Sequence, residues 1–246
     1  MKVSILLPFY GDRYYQLKRS LPFLLNQTYD DYEIVFIDDG LQDERNLSPN
    51  DLLDHPRIKY FQHRKGIVPI HSSNKALRHG FYNCDGDFII SSHPELLVPY
   101  DAVKKMVTQS NLERRNVATQ YHLTLEQIRY LETDVVGWEE DFNKIKRVPN
   151  FMATITPWGH TNFISPRRRN HFSFCGLTRE RFDEYIIPDT DEWIKEDAYV
   201  HALEISRGEP SVPIDIEVYH QEHERVYGTI TYVSERIRRI RESNLR

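Results

Sequence analysis

The chain has 246 residues, with 32 Lys and Arg against 37 Asp and Glu, for a formal net charge of −5. Its 39% hydrophobic and 28% charged content belongs to a folded chain and excludes disorder. The mildly acidic balance excludes nucleic-acid binding by bulk charge, and only two cysteines, Cys84 and Cys175, exclude a disulfide framework or a cysteine-rich metal site.

In chain order, the first apolar run is Val3-Ser4-Ile5-Leu6-Leu7, which meets Pro8 and polar residues at once. It predicts a strand buried on both faces. It is too short for a signal-peptide core or a membrane span. The expectation is therefore a chain without a transmembrane segment, kept in the cytoplasm. Asp12 is placed to cap a helix in which Tyr14, Leu17, Leu21, Leu24 and Leu25 recur at helical spacing. Glu33-Ile34-Val35-Phe36-Ile37 predicts a second buried strand that stops at Asp38-Asp39-Gly40, and Arg57-Ile58-Lys59-Tyr60-Phe61 a third. Pro69 is suited to open a helix bearing Asn74, Leu77 and Phe81 on one face. A fourth strand follows over residues 87–92, then a helix over 99–110. Repeated strand–helix–strand units predict an α/β fold with a parallel sheet. Ligands of such sheets sit at the carboxyl ends of the strands. Tyr10, Asp38, Asp39, His63, His93 and Glu95 end the predicted strands.

Beyond residue 111 the pattern loosens. Residues 116–123 predict a strand and 124–132 a short helix, followed by an aromatic, proline-rich passage and the basic run Arg167-Arg168-Arg169. A helix over 195–207 should stop at Gly208. Residues 212–222 predict a late strand, and the tail from 227 a helix with apolar residues at helical spacing. With no repeat and no linker, the chain is expected to be one domain. Residues 1–110, 111–226 and a C-terminal helix over 227–246 are its expected parts.

Several motifs in this order resemble glycosyltransferase family 2. They are the first strand through Pro8-Phe9-Tyr10, Leu25-Asn26-Gln27-Thr28-Tyr29, the strand ending in Asp38-Asp39-Gly40, and Asn74-Lys75-Ala76-Leu77 leading to Asp85-Gly86-Asp87. Trp193-Ile194-Lys195-Glu196-Asp197 is similar to the family's base motif, and Val218-Tyr219-His220-Gln221-Glu222 to its C-terminal histidine segment. The resemblance implies a GT-A fold, with a mostly parallel nucleotide-binding sheet and a mixed acceptor-side half. It also implies transfer of a sugar from a nucleotide diphosphate, with a UDP-sugar favoured, to a glycan, lipid-linked or protein-linked acceptor.

That chemistry makes three demands. The base must be gripped: Asp39 can accept from a base N–H, with the backbone of Pro8, Phe9 and Tyr10 alongside, although Asp38 and Asp39 could also merely cap a turn. Lys65, Asn74 and His93 complete the donor-binding set that the resemblance implies. The diphosphate charge must be offset, usually by Mn2+ or Mg2+. Here the family's Asp-x-Asp is replaced by His93-Pro94-Glu95. Glu95 inherits the metal position, His220 matches the metal histidine, and His93 either adds a nitrogen or touches the sugar. A metal-free enzyme would use Arg64, Lys65 or the run 167–169 instead. Finally, the acceptor hydroxyl must lose a proton to a carboxylate. Asp197 holds the family position, while Glu196 points about 100° away on a helix. Trp193 offers a face for acceptor stacking. With one base and no covalent nucleophile, the expected outcome is inversion.

The rival expectation is a catalytically silent sugar-nucleotide binder of the same fold. A nucleotidyltransferase would need a Gly-rich, lysine-bearing first loop, and Pro8-Phe9-Tyr10-Gly11-Asp12-Arg13 is not one. A dinucleotide oxidoreductase would need Gly-x-Gly-x-x-Gly after the first strand, which is absent.

Overall fold

The structure is a computed structural model that describes residues 1–41, 47–65, 73–123, 174–186, 200, 203–204 and 206–221. For residues 73, 74, 121 and 122 it describes the backbone alone. The expected helix over 124–132, the run 167–169 and the C-terminal helix lie outside the described residues.

The apolar runs of the N-terminal half form strands sealed on both faces. β1 (Val3–Phe9), β2 (Tyr32–Asp38) and β4 (Phe88–Ser91) are buried at every position, whereas β3 (Ile58–Gln62) lies at the sheet edge and is only half-buried. All four run parallel: β2 and β4 flank β1, and β3 lies outside β2. The register sets Phe9 beside Asp38 and Asp38 beside Gln62, so the carboxyl ends of these strands reach the same level.

Helices cover both faces. α1 (Tyr14–Leu25) buries Tyr14, Leu17, Leu21 and Leu24, as their spacing predicts. Asp12 does not cap it. Gly11–Arg13 forms a 3-10 turn, which moves the helix start to Arg13, and the Asp12 carboxylate pairs with the Arg13 guanidinium instead. Gln27 joins the end of α1 to α3 (Ala102–Gln109), accepting from the Val103 amide at 3.0 Å and donating to the Pro99 carbonyl at 2.8 Å. On the other face, α2 (Ser73–Tyr82) packs so closely that a Cβ on Gly80 would lie 2.1 Å from Leu6 Cδ1 and 2.7 Å from Ile37 Cγ1. Two apolar clusters result, one on each face of the sheet. Ile5, Leu7 and Phe36 belong to the α1–α3 side, and Leu6, Val35, Ile37 and Phe81 to the α2 side.

The second half extends the same sheet with mixed polarity. Its strands are β5 (Leu96–Leu97), β6 (Asn116–Leu123), β7 (Cys175–Thr178) and β8 (Val212–Gln221), with α4 (Arg179–Tyr185) after β7. The strand order is β3-β2-β1-β4-β7-β6-β8-β5. β7 runs antiparallel to β4 and β6, β8 parallel to β6, and β5 antiparallel to β8. Residues 203–204 and 206–207 are helical, and Gly208 follows at φ 66°, the left-handed stop expected there. Cys84 and Cys175 are both buried, and neither is in a disulfide. No helix among the described residues is long and apolar enough to cross a membrane.

Candidate active site

The two aspartates that end β2 have different tasks. Asp38 shapes the turn: its Oδ1 accepts from the Gly40 amide at 2.9 Å and its Oδ2 from the Tyr60 hydroxyl at 2.8 Å. Burial, and then this bond, push the Tyr60 phenol well above its ordinary value, so it stays a donor. Gly40 takes φ 86°, a conformation costly for any other residue. Asp38 thus caps the turn before Gly40. The Asp39 amide donates to the Phe9 carbonyl at 2.9 Å. Its wholly buried carboxylate is gripped by the fork of Arg64, from Nε at 2.7 Å and from Nη2 at 3.2 Å. The backbone amides of His63 and Arg64 both donate to the Asp38 carbonyl, at 2.8 and 3.3 Å. They fold the chain leaving β3 over the end of β2. His63 Nε2 lies 3.9 Å from Asp39 Oδ1, and His63 Nδ1 lies 3.0 Å from Nδ1 of His79 on α2.

Of the other residues expected to hold the donor, Pro8 is buried and Tyr10 is half-buried just past the end of β1. The Phe9 ring packs in the core against Phe36, so only its backbone faces the edge. Lys65 is exposed, and Asn74 stands in the first turn of α2.

The second cluster follows β4. The His93 carbonyl accepts from the Leu96 amide at 3.1 Å, closing a turn around His93-Pro94-Glu95. Ser20 of α1 steadies that turn by donating to the Pro94 carbonyl at 2.5 Å. Pairing of β5 with β8 then sets Leu96 opposite His220, and the Gln221 amide donates to the Glu95 carbonyl at 2.9 Å. As a result Glu95 Oε1 lies 3.4 Å from His220 Nε2, with both side chains nearly buried. Burial alone would push the Glu95 carboxyl up. The His220 bond and the charges of His220, His93 and Arg13 outweigh it and hold the carboxyl well below the usual carboxylate range. Gln221 pins the end of β8 to α1, accepting from Arg19 at 3.1 Å and donating to the Gln16 carbonyl at 3.1 Å.

Glu95 and His220 therefore meet, although far apart in sequence, and they offer one hard oxygen and one imidazole nitrogen. No cluster of three or more metal-ligating side chains occurs among the described residues. β2 and β4 flank β1, so the turns that follow these two strands lie on either side of the one that follows β1. Trp193, Glu196 and Asp197 lie outside the described residues. Sequence reasoning named Arg64 only as a spare cation and missed its grip on Asp39. Its place directly after a strand end was the available signal. His79 and Gln221 carried none.

A buried carboxylate after β2 and a carboxylate–histidine pair after β4 occupy the edge where an α/β sheet binds ligands. The chain matches the family model "Glycosyl transferase family 2" over residues 4–147. It is 28% identical over 148 residues to an uncharacterized glycosyltransferase of Haemophilus influenzae, covering 59% of this chain and 52% of that protein. It is 30% identical over 120 residues to an undecaprenyl-phosphate 4-deoxy-4-formamido-L-arabinose transferase of Pseudomonas fluorescens, covering 45% of this chain and 32% of that one. The matches span about half of the first relative and a third of the second. Among solved structures, GalNAc-T7 with UDP, GalNAc and Mn2+ aligns at TM-score 0.61 and 14% identity, over 93% of this chain and 44% of that one. S. aureus TarS 1–349 with UDP-GlcNAc aligns at TM-score 0.52 and 10% identity, over 92% and 60%. Those two likenesses establish a GT-A fold. With the matched family model spanning more than half its length, the chain belongs to glycosyltransferase family 2.

Proposed function

We propose that this glycosyltransferase takes a UDP-sugar and moves the sugar to an acceptor hydroxyl by a single displacement with inversion. The observation that carries the reading is Asp39, a wholly buried carboxylate held by Arg64 at the carboxyl edge of the sheet. A carboxylate so placed can accept from the N–H of a uracil, with the backbone of Pro8, Phe9 and Tyr10 beside the ring. Lys65, Asn74 and His93 complete the donor site. The UDP and UDP-sugar in the GalNAc-T7 and TarS structures support this choice of donor.

Glu95 and His220 are the residues that would hold Mn2+ or Mg2+. Their oxygen and nitrogen lie 3.4 Å apart, close enough that both would face one ion. When bound, the ion would offset the charge of the diphosphate. Arg13 brings further positive charge to the same turn. Asp197 takes the proton from the acceptor hydroxyl, Glu196 being its alternative, and Trp193 stacks on the acceptor. The acceptor is a glycan, lipid-linked or protein-linked hydroxyl.

The test is transfer by Asp197→Asn. Turnover should fall at least ~10²-fold, the lower end of what a general base contributes. UDP affinity should hardly change, because the acceptor is the partner of this group. NMR of the product should show the inverted anomer. Near-parental turnover, or retained configuration, removes the base and the mechanism together. A parent that binds UDP but transfers from no UDP-sugar would leave the silent binder standing.

A further inference from the structure

His63 stands between Asp39 and α2 with both ring nitrogens engaged. Nδ1 faces His79 Nδ1 at 3.0 Å, and Nε2 faces Asp39 Oδ1 at 3.9 Å. Two imidazole nitrogens at hydrogen-bond distance share one proton: one donates and the other accepts. If His63 donated, its Nε2 would turn a lone pair toward a buried carboxylate. If His79 donates, His63 must carry its proton on Nε2, facing Asp39 with the favourable sign. The edge-to-face contact of the two rings, 5.1 Å between centroids, and the contact of His79 with Phe61 hold this arrangement.

We propose that His79 is a positioning residue for nucleotide binding. Its Nδ1–H locks His63 in the tautomer that directs Nε2–H at Asp39, which orients the aspartate as the acceptor for the base. The proposal rests on the reading of Asp39 given above.

Protonating His63 on Nδ1 would set two N–H groups against each other and break the pair. Among the described residues, the titratable and charged groups around His63 are Asp39 just past β2, His79 and Lys75 from α2, and Arg64 from its own loop. Burial holds the His63 imidazole below its ordinary value of 6.5, Asp39 opposes this, and His79, Arg64 and Lys75 add to the lowering. In the parent, His63 should therefore take up its proton, and UDP affinity should fall, at a lower pH than an ordinary imidazole would set. In His79→Phe the ring packing remains but the donor is gone. His63 then takes a proton at higher pH and becomes a cation that competes for Asp39.

Two measurements on the full chain test this. The first is the ¹⁵N spectrum of its histidines, in which parent His63 should appear as the Nε2–H tautomer. The second is calorimetric titration with UDP between pH 5.5 and 8. His79→Phe should bind about threefold to tenfold more weakly at pH 7.5, the scale of one hydrogen bond, and lose affinity at a higher pH than the parent. His79→Asn, whose amide nitrogen reproduces the Nδ1 donor, should restore both. Parent His63 in the Nδ1–H form overturns the proposal. So do parental affinity and pH profile in His79→Phe. A parent that binds no UDP removes the reading of Asp39, and this role with it, yet leaves the tautomer spectrum as described.

Discussion

At the amino ends of the parallel strands Glu33 collects four partners, while at the carboxyl ends Asp39 is held by an arginine fork. Glu33 accepts from the Ser4 hydroxyl at 2.6 Å and the Asp85 amide at 2.7 Å, and pairs with Lys59 at 2.8 Å and Lys2 at 3.6 Å. Asp85 pairs with the same two lysines, and Ser4 also accepts from the Gly86 amide at 2.8 Å. Charge is matched, acceptors are filled, and the lysines are open to water. Such a network ties strand ends together and leaves nothing for a ligand. Asp39 is fully buried, while its Arg64 partner keeps a quarter of its side-chain surface in solvent. A buried acceptor beside a partly exposed partner fits the binding role proposed for it.

Substitutions at the two ends should therefore differ in kind. The largest effect is expected from Asp39→Ala, which should weaken UDP binding by about 1–3 kcal/mol, the value of a hydrogen bond to a charged group. Its melting temperature should move little, because Arg64 can reach water. Calorimetry and a thermal melt on the same sample check this, and unchanged affinity with an intact fold takes Asp39 out of the site. Glu33→Gln should invert the pattern. Stability in urea should drop by about 1 kcal/mol, with UDP affinity as in the parent. A pH signature accompanies it. Burial pushes the Glu33 carboxyl up, but the bonds from Lys59, Ser4 and the Asp85 amide outweigh that and hold it below its ordinary 4.5. A carboxyl lowered in the fold stabilises above its ordinary value and loses that contribution as pH falls through the folded one. Parental stability should thus decline below about pH 4.5, and Glu33→Gln should decline less steeply. The smallest effect is expected from Lys59→Gln, about 0.2–1 kcal/mol, shrinking in 0.5 M salt as screening shortens the reach of exposed charge. A salt-independent loss would mean that the amino-end network is not the solvated brace described.

The first half of the sheet was legible because β1, β2 and β4 are buried on both faces and their apolar runs declare it. β6 and β8 were also placed, the latter through Ile214, Ile216 and Val218 on one buried face. β5 has two residues and β7 four, too few to show a period. Asp12 looked like a cap because a 3-10 turn before a helix leaves no mark in composition. Within the site, the aspartates and His93-Pro94-Glu95 could be found from strand ends and family order. The Arg64 fork, the His63–His79 pair and the roles of Gln221 could not. They depend on how a turn after β3 folds back and on a register between distant strands.

The sheet order also sets a timetable during synthesis. β1 to β4 can pair among themselves as soon as residue 91 has emerged. The outer edge of β4 must wait for β7, and Glu95 must wait for β8 to bring His220. At roughly 5–20 residues per second, the stretch between Glu95 and His220 takes on the order of ten seconds to make. Until β7 emerges, within that interval, the nascent chain presents the apolar edge Phe88–Ser91 without its neighbour. An unpaired strand of that kind is a template for another chain. Slowing translation after β4 should therefore lower the soluble yield more than the same pause placed after β8.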